Sequence, residues 1–145
     1  MTAEEMWERC FGNTEQSGVP YEAWAFGDDA DKLAELVVKG IKTATSSAYA
    51  LYAIDNEALP QVGEYSVILD SHDNARCITK TTKVYVTSFN EVSEAHAYKE
   101  GEGDRSLAYW RKVHEKFFTE CLNETGLDFS PTMEVVCEEF EVVYK

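Results

Sequence analysis

The sequence predicts a single α+β domain whose strands form a mostly antiparallel sheet or small barrel flanked by helices. The 145 residues suit one domain and can bury a sizeable core. Eight Tyr, seven Phe and three Trp argue against a disordered chain. Strand-like segments follow one another directly between residues 64 and 89, and this order favours antiparallel pairing over a βαβ array.

The first part of the chain alternates helical and strand-like segments. A short helix is predicted over 3–10, and alternating aromatic residues predict a strand over 21–26. Apolar residues at helical spacing predict a helix over 29–39, with an aspartate of the preceding Gly27-Asp28-Asp29 as its cap and Gly40 just past its end. Residues 48–59 are ambiguous and can form one or two helical turns.

The middle of the chain is rich in β-forming residues. Alternation predicts a strand over 64–70, and Ser71-His72-Asp73-Asn74 predicts a hairpin turn. The run from Ala75 to Phe89 predicts a long strand with a bulge or second turn near Lys80-Thr81. A second run of alternating apolar residues, over 133–144, predicts the closing strand.

Two helices are predicted between these strands. The first opens at Asn90-Glu91 and runs to about Lys99, before two glycines break it. Asp104 is the predicted cap of the second, which runs to about Thr125 and ends at Gly126. Its predicted apolar stripe consists of Leu107, Trp110, His114, Phe117 and Cys121.

Composition narrows the classes of partner. The net charge of −14, with only 13 Lys and Arg, disfavours long nucleic acid, so we expect no DNA partner and favour a small ligand or a short RNA. No segment approaches the length of a membrane span, and the start of the chain lacks the features of a signal peptide. The four cysteines form no C-x-x-C pair. We therefore expect a cytoplasmic protein with reduced thiols; no cofactor is indicated.

A cluster of reactive side chains follows the predicted helix that ends at Gly40. Residues 42–47 carry one lysine amine and four hydroxyl groups. A lysine whose pKa is lowered by burial can act as a general base, and a neighbouring hydroxyl then becomes a nucleophile. Lys42 and Thr45 are three residues apart, so they share a site only if the backbone bends between them. The alternative is the start of a polar strand.

A second cluster covers residues 96–105 and joins acids, a base and two glycines at a helix–helix junction. A carboxylate there can orient or protonate a substrate, and the alternative is a solvated acidic turn. His96 and Glu100 lie one helical turn apart, like one edge of a metal site, but spacing identifies no third ligand and no metal is predicted. His114 fits a packed core position better than a catalytic one.

Two further residues are candidates for substrate contact. Tyr49 lies near the hydroxyl cluster and can stack on a base, although packing is the simpler role. Arg111 on the predicted long helix can pair with an acid or bind a substrate carbonyl, or it is one of several cations on a solvated helix face.

Two sequence stretches resemble those of a known family. Gly40-Ile41-Lys42-Thr43-Ala44-Thr45-Ser46-Ser47, placed after a helix, resembles the signature of the ASCH superfamily, a PUA-like group. The stretch 100–118 resembles stand-alone bacterial ASCH proteins of about this length. The resemblance spans roughly residues 21–144. It implies one ASCH domain over 1–145, built on a small, mostly antiparallel, PUA-like barrel flanked by helices.

The resemblance also implies a chemistry. Some small bacterial ASCH proteins are amidohydrolases that remove the acetyl group of N4-acetylcytidine, with a G-x-K-T-x-T motif and a glutamate in a later H-A-x-x-E stretch. This sequence matches at Lys42, Thr45 and Glu100. The implied roles are Thr45 as nucleophile, Lys42 as the amine that activates it, and Glu100 as an acid–base or orienting group.

One position departs from the amidohydrolase pattern, which has an arginine two residues after the nucleophile. Here that position is Ser47, which we expect to contact the substrate, and Arg111 is a candidate for the missing cation. The alternatives implied by the same family are an RNA-binding module and a ribonuclease that acts on single strands. The sequence does not fix the oligomeric state.

Overall fold

The computed structural model describes the whole chain, residues 1–145, as five helices and five strands. The helices are α1 (Ala3–Phe11), α2 (Ala30–Val38), α3 (Tyr49–Ile54), α4 (Glu94–Glu100) and α5 (Leu107–Asn123). The strands are β1 (Tyr21–Ala25), β2 (Ala44–Ala48), β3 (Tyr65–Leu69), β4 (Ala75–Ser88) and β5 (Glu134–Tyr144).

All five strands belong to one curled sheet, a half-barrel, in the order β1-β3-β4-β5-β2. The β1–β3 pair is parallel and the three other pairs are antiparallel, so the predicted α+β fold with a mostly antiparallel sheet is confirmed. The register between β4 and β5 shifts between Thr81 and Lys83, where the sequence predicted an irregularity. The edge strands β1 and β2 do not pair with each other, and the barrel stays open between them.

Three clusters of buried apolar side chains hold the helices on the sheet. α1 packs through Met6 and Trp7 on Val67 and Ile78 of the β3–β4 hairpin. α2 packs through Ala34 and Val37 beside Ile68, Cys77 and Phe140. α4 and α5 share the largest cluster, which includes Ala97, Trp110, Phe118, Leu122 and Val135. Every helix except α3 contributes a buried apolar side chain.

The boundaries of α4 and α5 correct the predictions. Phe89–Glu91 forms a separate 3-10 turn, and α4 begins only at Glu94 because Ser93 accepts a hydrogen bond from the backbone N–H of His96 at 3.1 Å. α5 is capped by Ser106, which accepts from the N–H of Tyr109 at 3.1 Å. Asp104 instead accepts from the N–H of Ser106 at 2.9 Å and shapes the turn before the helix.

Two other details differ from the sequence pattern. Asp29 stands at the N-cap position of α2 but adopts a left-handed conformation with φ of 41° and makes no capping hydrogen bond. On α5 the buried stripe is Trp110, His114, Phe118 and Leu122, whereas Phe117 and Cys121 are only partly buried. The stripe drifts by one residue because the helix period of 3.6 exceeds the average spacing of the predicted set. No helix is both long enough and apolar enough to cross a membrane.

Trp7 provides a test of the docking of α1. Its side chain is 4% exposed, stacks on Tyr21 with ring centroids 4.4 Å apart, and donates from Nε1 to the carbonyl of Ser17 at 3.1 Å. Trp7→Ala is therefore expected to lower the free energy of unfolding by about 3–5 kcal/mol, measured by urea denaturation. Val62→Ala, at a side chain that is 66% exposed, is the control and should change it by less than about 0.5 kcal/mol. A loss equal to that of the control would show that α1 is not part of the cooperative fold.

Candidate active site

A cavity of about 630 Å³ opens where the half-barrel fails to close. Residues of the two edge strands, β1 and β2, line it together with residues from the three other strands and from every helix except α1. This volume lies within the range of about 300–1,000 Å³ that is usual for small-molecule sites. The fold thus leaves one site of ligand size between the edges of its sheet.

Lys42 lies at the bottom of this cavity and is only 1% exposed. It precedes β2 in an extended segment anchored on both sides: its backbone N–H donates to Leu36 at 3.1 Å, and the N–H of Thr43 donates to Lys99 at 2.7 Å. The strand begins only at Ala44, so Lys42 is free of the two-residue alternation of β2. As a result Lys42 and Thr45 line the same cavity, as a shared site requires.

Glu100, at the end of α4, is as buried as Lys42 and lies at the centre of a polar network. Its Oε1 is 3.4 Å from Lys42 Nζ and 3.3 Å from His114 Nε2. Its Oε2 accepts hydrogen bonds from Ser46 Oγ and Trp110 Nε1, each at 2.5 Å, and lies 2.8 Å from His96 Nε2. Five side chains from β2, α4, α5 and the Lys42 segment therefore converge on one carboxylate.

This network fixes the charge of Glu100. Burial alone raises the pKa of a carboxyl group, but the ammonium of Lys42 and the hydrogen bonds from His114 and His96 outweigh it and hold the pKa of Glu100 well below its usual value. Glu100 is therefore a carboxylate at neutral pH. It cannot donate a proton there, and its role is to orient and neutralise the groups around it.

The backbone at Gly101 brings a second acid to Lys42. Gly101 caps α4 with φ of 73°, and the chain turns so that Glu102 Oε2 lies 2.9 Å from Lys42 Nζ, closer than Glu100. A Cβ added at Gly101 would lie 2.6 Å from the carbonyl oxygen of Ile41, so only glycine fits. Arg105 holds the same turn by donating to the carbonyl oxygens of Tyr98 and Ile41. Lys42 is thereby placed between two carboxylates.

The three hydroxyl groups of β2 all line the cavity, and they differ in their hydrogen-bond partners. Ser46 is engaged with Glu100 and His96. Ser47 bonds the phenol oxygen of Tyr52 at 2.6 Å. Thr45 lines the cavity, and its hydroxyl makes no hydrogen bond to another protein group. Thr45 is thus the hydroxyl of this strand left free for a ligand.

The walls of the cavity are acidic and aromatic. Besides Lys42 and the imidazole of His114, the cavity is lined by seven acids, namely Glu22, Asp28, Glu57, Glu64, Glu100, Glu102 and Glu138. Its aromatic lining consists of Trp24, Phe26, Tyr52, Tyr65 and Phe117. Such walls repel phosphate groups and offer flat faces to an uncharged ring.

One group of side chains has the composition of a metal site. Single ligand atoms of Glu100, Glu102 and His114 lie within 4.8 Å of one another. The ammonium of Lys42, however, already lies within 3.4 Å of both carboxylates and supplies the positive charge that a metal would bring. The set therefore fits an internal ion pair better than a bound divalent cation.

Four of the six residues predicted for the site line the cavity: Lys42, Thr45, Ser47 and Glu100. The other two do not, and we correct the prediction that they contact a ligand bound there. Tyr49 opens α3 and is 40% exposed. Arg111 lies on an exposed part of α5, where it donates to the carbonyl of Asn90 at 3.0 Å. Helix geometry turns both side chains outward.

Sequence reasoning missed three residues of the site. The sequence pattern places Glu102 in an acidic turn, and only the reversal at Gly101 brings it to Lys42. His114 was assigned to the core, and it does pack against Trp110, but its Nε2 also reaches Glu100. Glu138 on β5 had no signal at all, because its position across from Thr45 depends on long-range strand register.

The fold and the site together define a small α+β domain with a buried lysine–carboxylate network at the opening of a half-barrel. The sequence profile of the ASCH domain matches residues 22–144, and the chain belongs to the ASCH domain family. An ASCH domain from Lactobacillus crispatus JV V101 is 34% identical, with a TM-score of 0.88 over 98% of this chain and 91% of that one. Protein EF3133 from Enterococcus faecalis V583 is 40% identical, with a TM-score of 0.78 over 86% and 77%.

A more distant structure shares the fold alone. A serine-to-alanine mutant of ZmASCH from Zymomonas mobilis is 12% identical, with a TM-score of 0.52 over 86% of this chain and 72% of that chain. Among curated protein sequences, none matches this chain. The predicted membership of the ASCH superfamily with its PUA-like fold is confirmed.

Glycine substitutions test the turn that brings Glu102 to Lys42. Gly101→Ala combines a left-handed φ with a clash against the Ile41 backbone, whereas Gly126→Ala has a similar φ of 80° but open space around it. Gly126→Ala should cost about 1–2 kcal/mol of unfolding free energy, and Gly101→Ala should cost clearly more. Gly18→Ala, with neither feature, should be nearly neutral. Equal losses at Gly101 and Gly126 would show that the close approach to Ile41 is absent.

Proposed function

We propose that this protein hydrolyses an amide bond of a small, uncharged ligand, with an N4-acylated cytidine as the leading candidate. The observation that carries the proposal is the free hydroxyl of Thr45, which shares a cavity with the buried Lys42–Glu100 pair. A nucleophile, an amine and an orienting carboxylate within one pocket suit acyl transfer.

Thr45 is the nucleophile of this mechanism. Its hydroxyl oxygen attacks the amide carbonyl carbon and passes its proton to the amine of Lys42. That amine accepts a proton only when it is neutral, and Glu102, the nearer of its two carboxylates, takes the proton that Lys42 gives up. Glu100 holds the amine in place and keeps its own negative charge throughout.

The acyl group is then transferred to Thr45 and the amine leaves. Water enters the cavity, attacks the acyl ester and releases the acid. Lys42 returns the proton to Thr45 as the ester bond breaks. The net reaction is the addition of water across one amide bond, and it requires no redox step.

The lining of the cavity supports a nucleoside rather than a nucleotide or a long RNA. Seven acids surround a single lysine that is itself paired, so a phosphate group would find no free cation there. Trp24, Tyr52 and Tyr65 offer faces on which a pyrimidine can stack. The same acidic walls weigh against RNA binding and RNA cleavage as functions of this cavity.

Turnover of N4-acetylcytidine by the purified protein tests the proposal. We expect the parent to release cytidine, and Thr45→Ala and Lys42→Ala to lower kcat by at least about 10²-fold because the nucleophile or its activating base is gone. Thr45→Ser, which keeps a hydroxyl, should retain part of the activity. Chromatographic detection of cytidine provides the measurement.

Arg111→Ala and Tyr49→Ala are matched controls, since both residues lie outside the cavity. Both variants should turn over N4-acetylcytidine at the parent's rate. Full activity in Thr45→Ala would refute the mechanism. The absence of turnover by the parent, combined with cleavage of single-stranded RNA that Lys42→Ala abolishes, would favour the ribonuclease alternative.

A further inference from the structure

Glu138 lies directly across the sheet from Thr45. The two residues are partners in the antiparallel pairing of β2 with β5, and both line the cavity. Side chains of directly opposed residues point to the same face, with Cβ atoms about 4.5–5.5 Å apart. The amide nitrogen is bonded to the carbonyl carbon, so a substrate whose carbonyl carbon is in reach of Thr45 can place that nitrogen near Glu138.

Basic side chains surround Glu100, whereas acidic side chains surround Glu138. The hydroxyl of Thr81 donates to Glu138 Oε2 at 2.6 Å, and this is the single hydrogen bond that its carboxyl group makes. The titratable groups that face it are Glu64, Glu22 and the phenol of Tyr52, and no basic side chain pairs with it. Burial, together with repulsion from Glu64 and Glu22, raises the pKa of Glu138 above its usual value.

We propose that Glu138 is the general acid that protonates the leaving nitrogen of the amide. This inference rests on the proposed function and extends it, because that mechanism keeps the proton of Lys42 for Thr45 and assigns no acid to the leaving nitrogen. The oxygen of Glu138 that Thr81 does not bind has no protein partner and is free to face the substrate.

Proton transfer from Glu138 accompanies the collapse of the tetrahedral adduct on Thr45. The carbon–nitrogen bond breaks, and its electron pair goes to nitrogen while the proton of Glu138 is transferred to that atom. The amine leaves neutral, and Glu138 becomes a carboxylate. In the second half of the reaction water attacks the acyl ester. The water oxygen forms the new bond to the acyl carbon, and a proton of the water returns to Glu138.

The cavity thus contains one buried and one partly buried carboxyl group whose pKa values are shifted in opposite directions. Lys42, His114 and His96 lower the pKa of Glu100, whereas burial and the neighbouring acids raise the pKa of Glu138. A pair of carboxyl groups whose environments separate their pKa values is a general way to supply an ion and an acid in one site.

Leaving-group dependence tests this role. Protonation is needed to expel an amine but not to expel 4-nitrophenolate, so 4-nitrophenyl acetate reports acylation of Thr45 without the acid. We expect Glu138→Gln to lower kcat for N4-acetylcytidine by at least about 10²-fold and to leave unchanged the initial burst of 4-nitrophenolate from 4-nitrophenyl acetate, which reports acylation alone. A retained burst also shows that the variant is folded. Glu134→Gln, on the same strand but exposed, is the control and should match the parent on both substrates.

The pH profile gives an independent measurement. An acid must hold its proton, so kcat for the amide should fall as pH rises through the pKa of Glu138. Glu64→Gln removes a negative charge that raises this pKa, so the fall should move to lower pH. In Glu138→Gln this fall should be absent from the residual activity.

Three results would overturn the assignment of Glu138. The first is undiminished amide hydrolysis by Glu138→Gln, and the second is an equal loss of amide turnover and of the 4-nitrophenolate burst. The third is an alkaline limb that Glu64→Gln leaves in place. A parent protein that hydrolyses neither substrate would instead refute the proposed function, and the role of Glu138 with it.

Discussion

The contact between the buried ammonium of Lys42 and the buried carboxylate of Glu100 is the interaction on which the rest of the site depends. Both side chains are 1% exposed, and the removal of two charges from water is costly unless each finds the other and further hydrogen bonds. Besides Lys42, four side chains contact the carboxylate of Glu100 and supply these further hydrogen bonds: Ser46, His96, Trp110 and His114. Removing one partner of such a pair typically costs about 3–5 kcal/mol, because the other charge stays buried and unpaired.

Several structural features far apart in the sequence serve this one contact. The helix α4 presents Glu100 at its last turn, and the glycine after it lets the chain approach Ile41. Trp110 of α5 donates its indole N–H to Glu100 rather than only filling the core. The extended segment before β2 directs Lys42 inward before the strand alternation begins. The site is thus held by elements that also form the largest core cluster, which makes its geometry as rigid as the fold.

The opening between the edge strands of the half-barrel determines which ligands can reach this network. A closed barrel would fill its interior with side chains, as small barrels do. Here β1 and β2 stay apart, and the cavity between them receives acids from several strands and the free hydroxyl of Thr45. The carboxylates of this cavity agree with the net charge of −14 and favour the uncharged ligand that we propose.

Sequence reasoning predicted the elements well where the signal was local. Alternation located β3 and β5, and Gly40 and Gly126 located helix ends, because such patterns depend on neighbouring residues. Sequence reasoning failed where contacts between distant parts of the chain decided the local structure.

The residues of the site also divide into those that a local motif predicted and those that only the fold brings together. The G-x-K-T-x-T stretch and the H-A-x-x-E stretch identified Lys42, Thr45 and Glu100 through resemblance, and the structure brings these residues into one cavity. Glu138 gave no signal, because its place opposite Thr45 follows from the register of two strands about 90 residues apart, a separation that no local pattern encodes.

Trapping of the acyl group on the protein tests the central claim most directly. The parent would be mixed with N4-acetylcytidine, quenched in acid within milliseconds, digested and examined by mass spectrometry. The account predicts an acetyl ester on Thr45, formed before free acetate appears. Cytidine release with acetyl on Ser46 or Ser47, or with no acylated residue at any time, would contradict it.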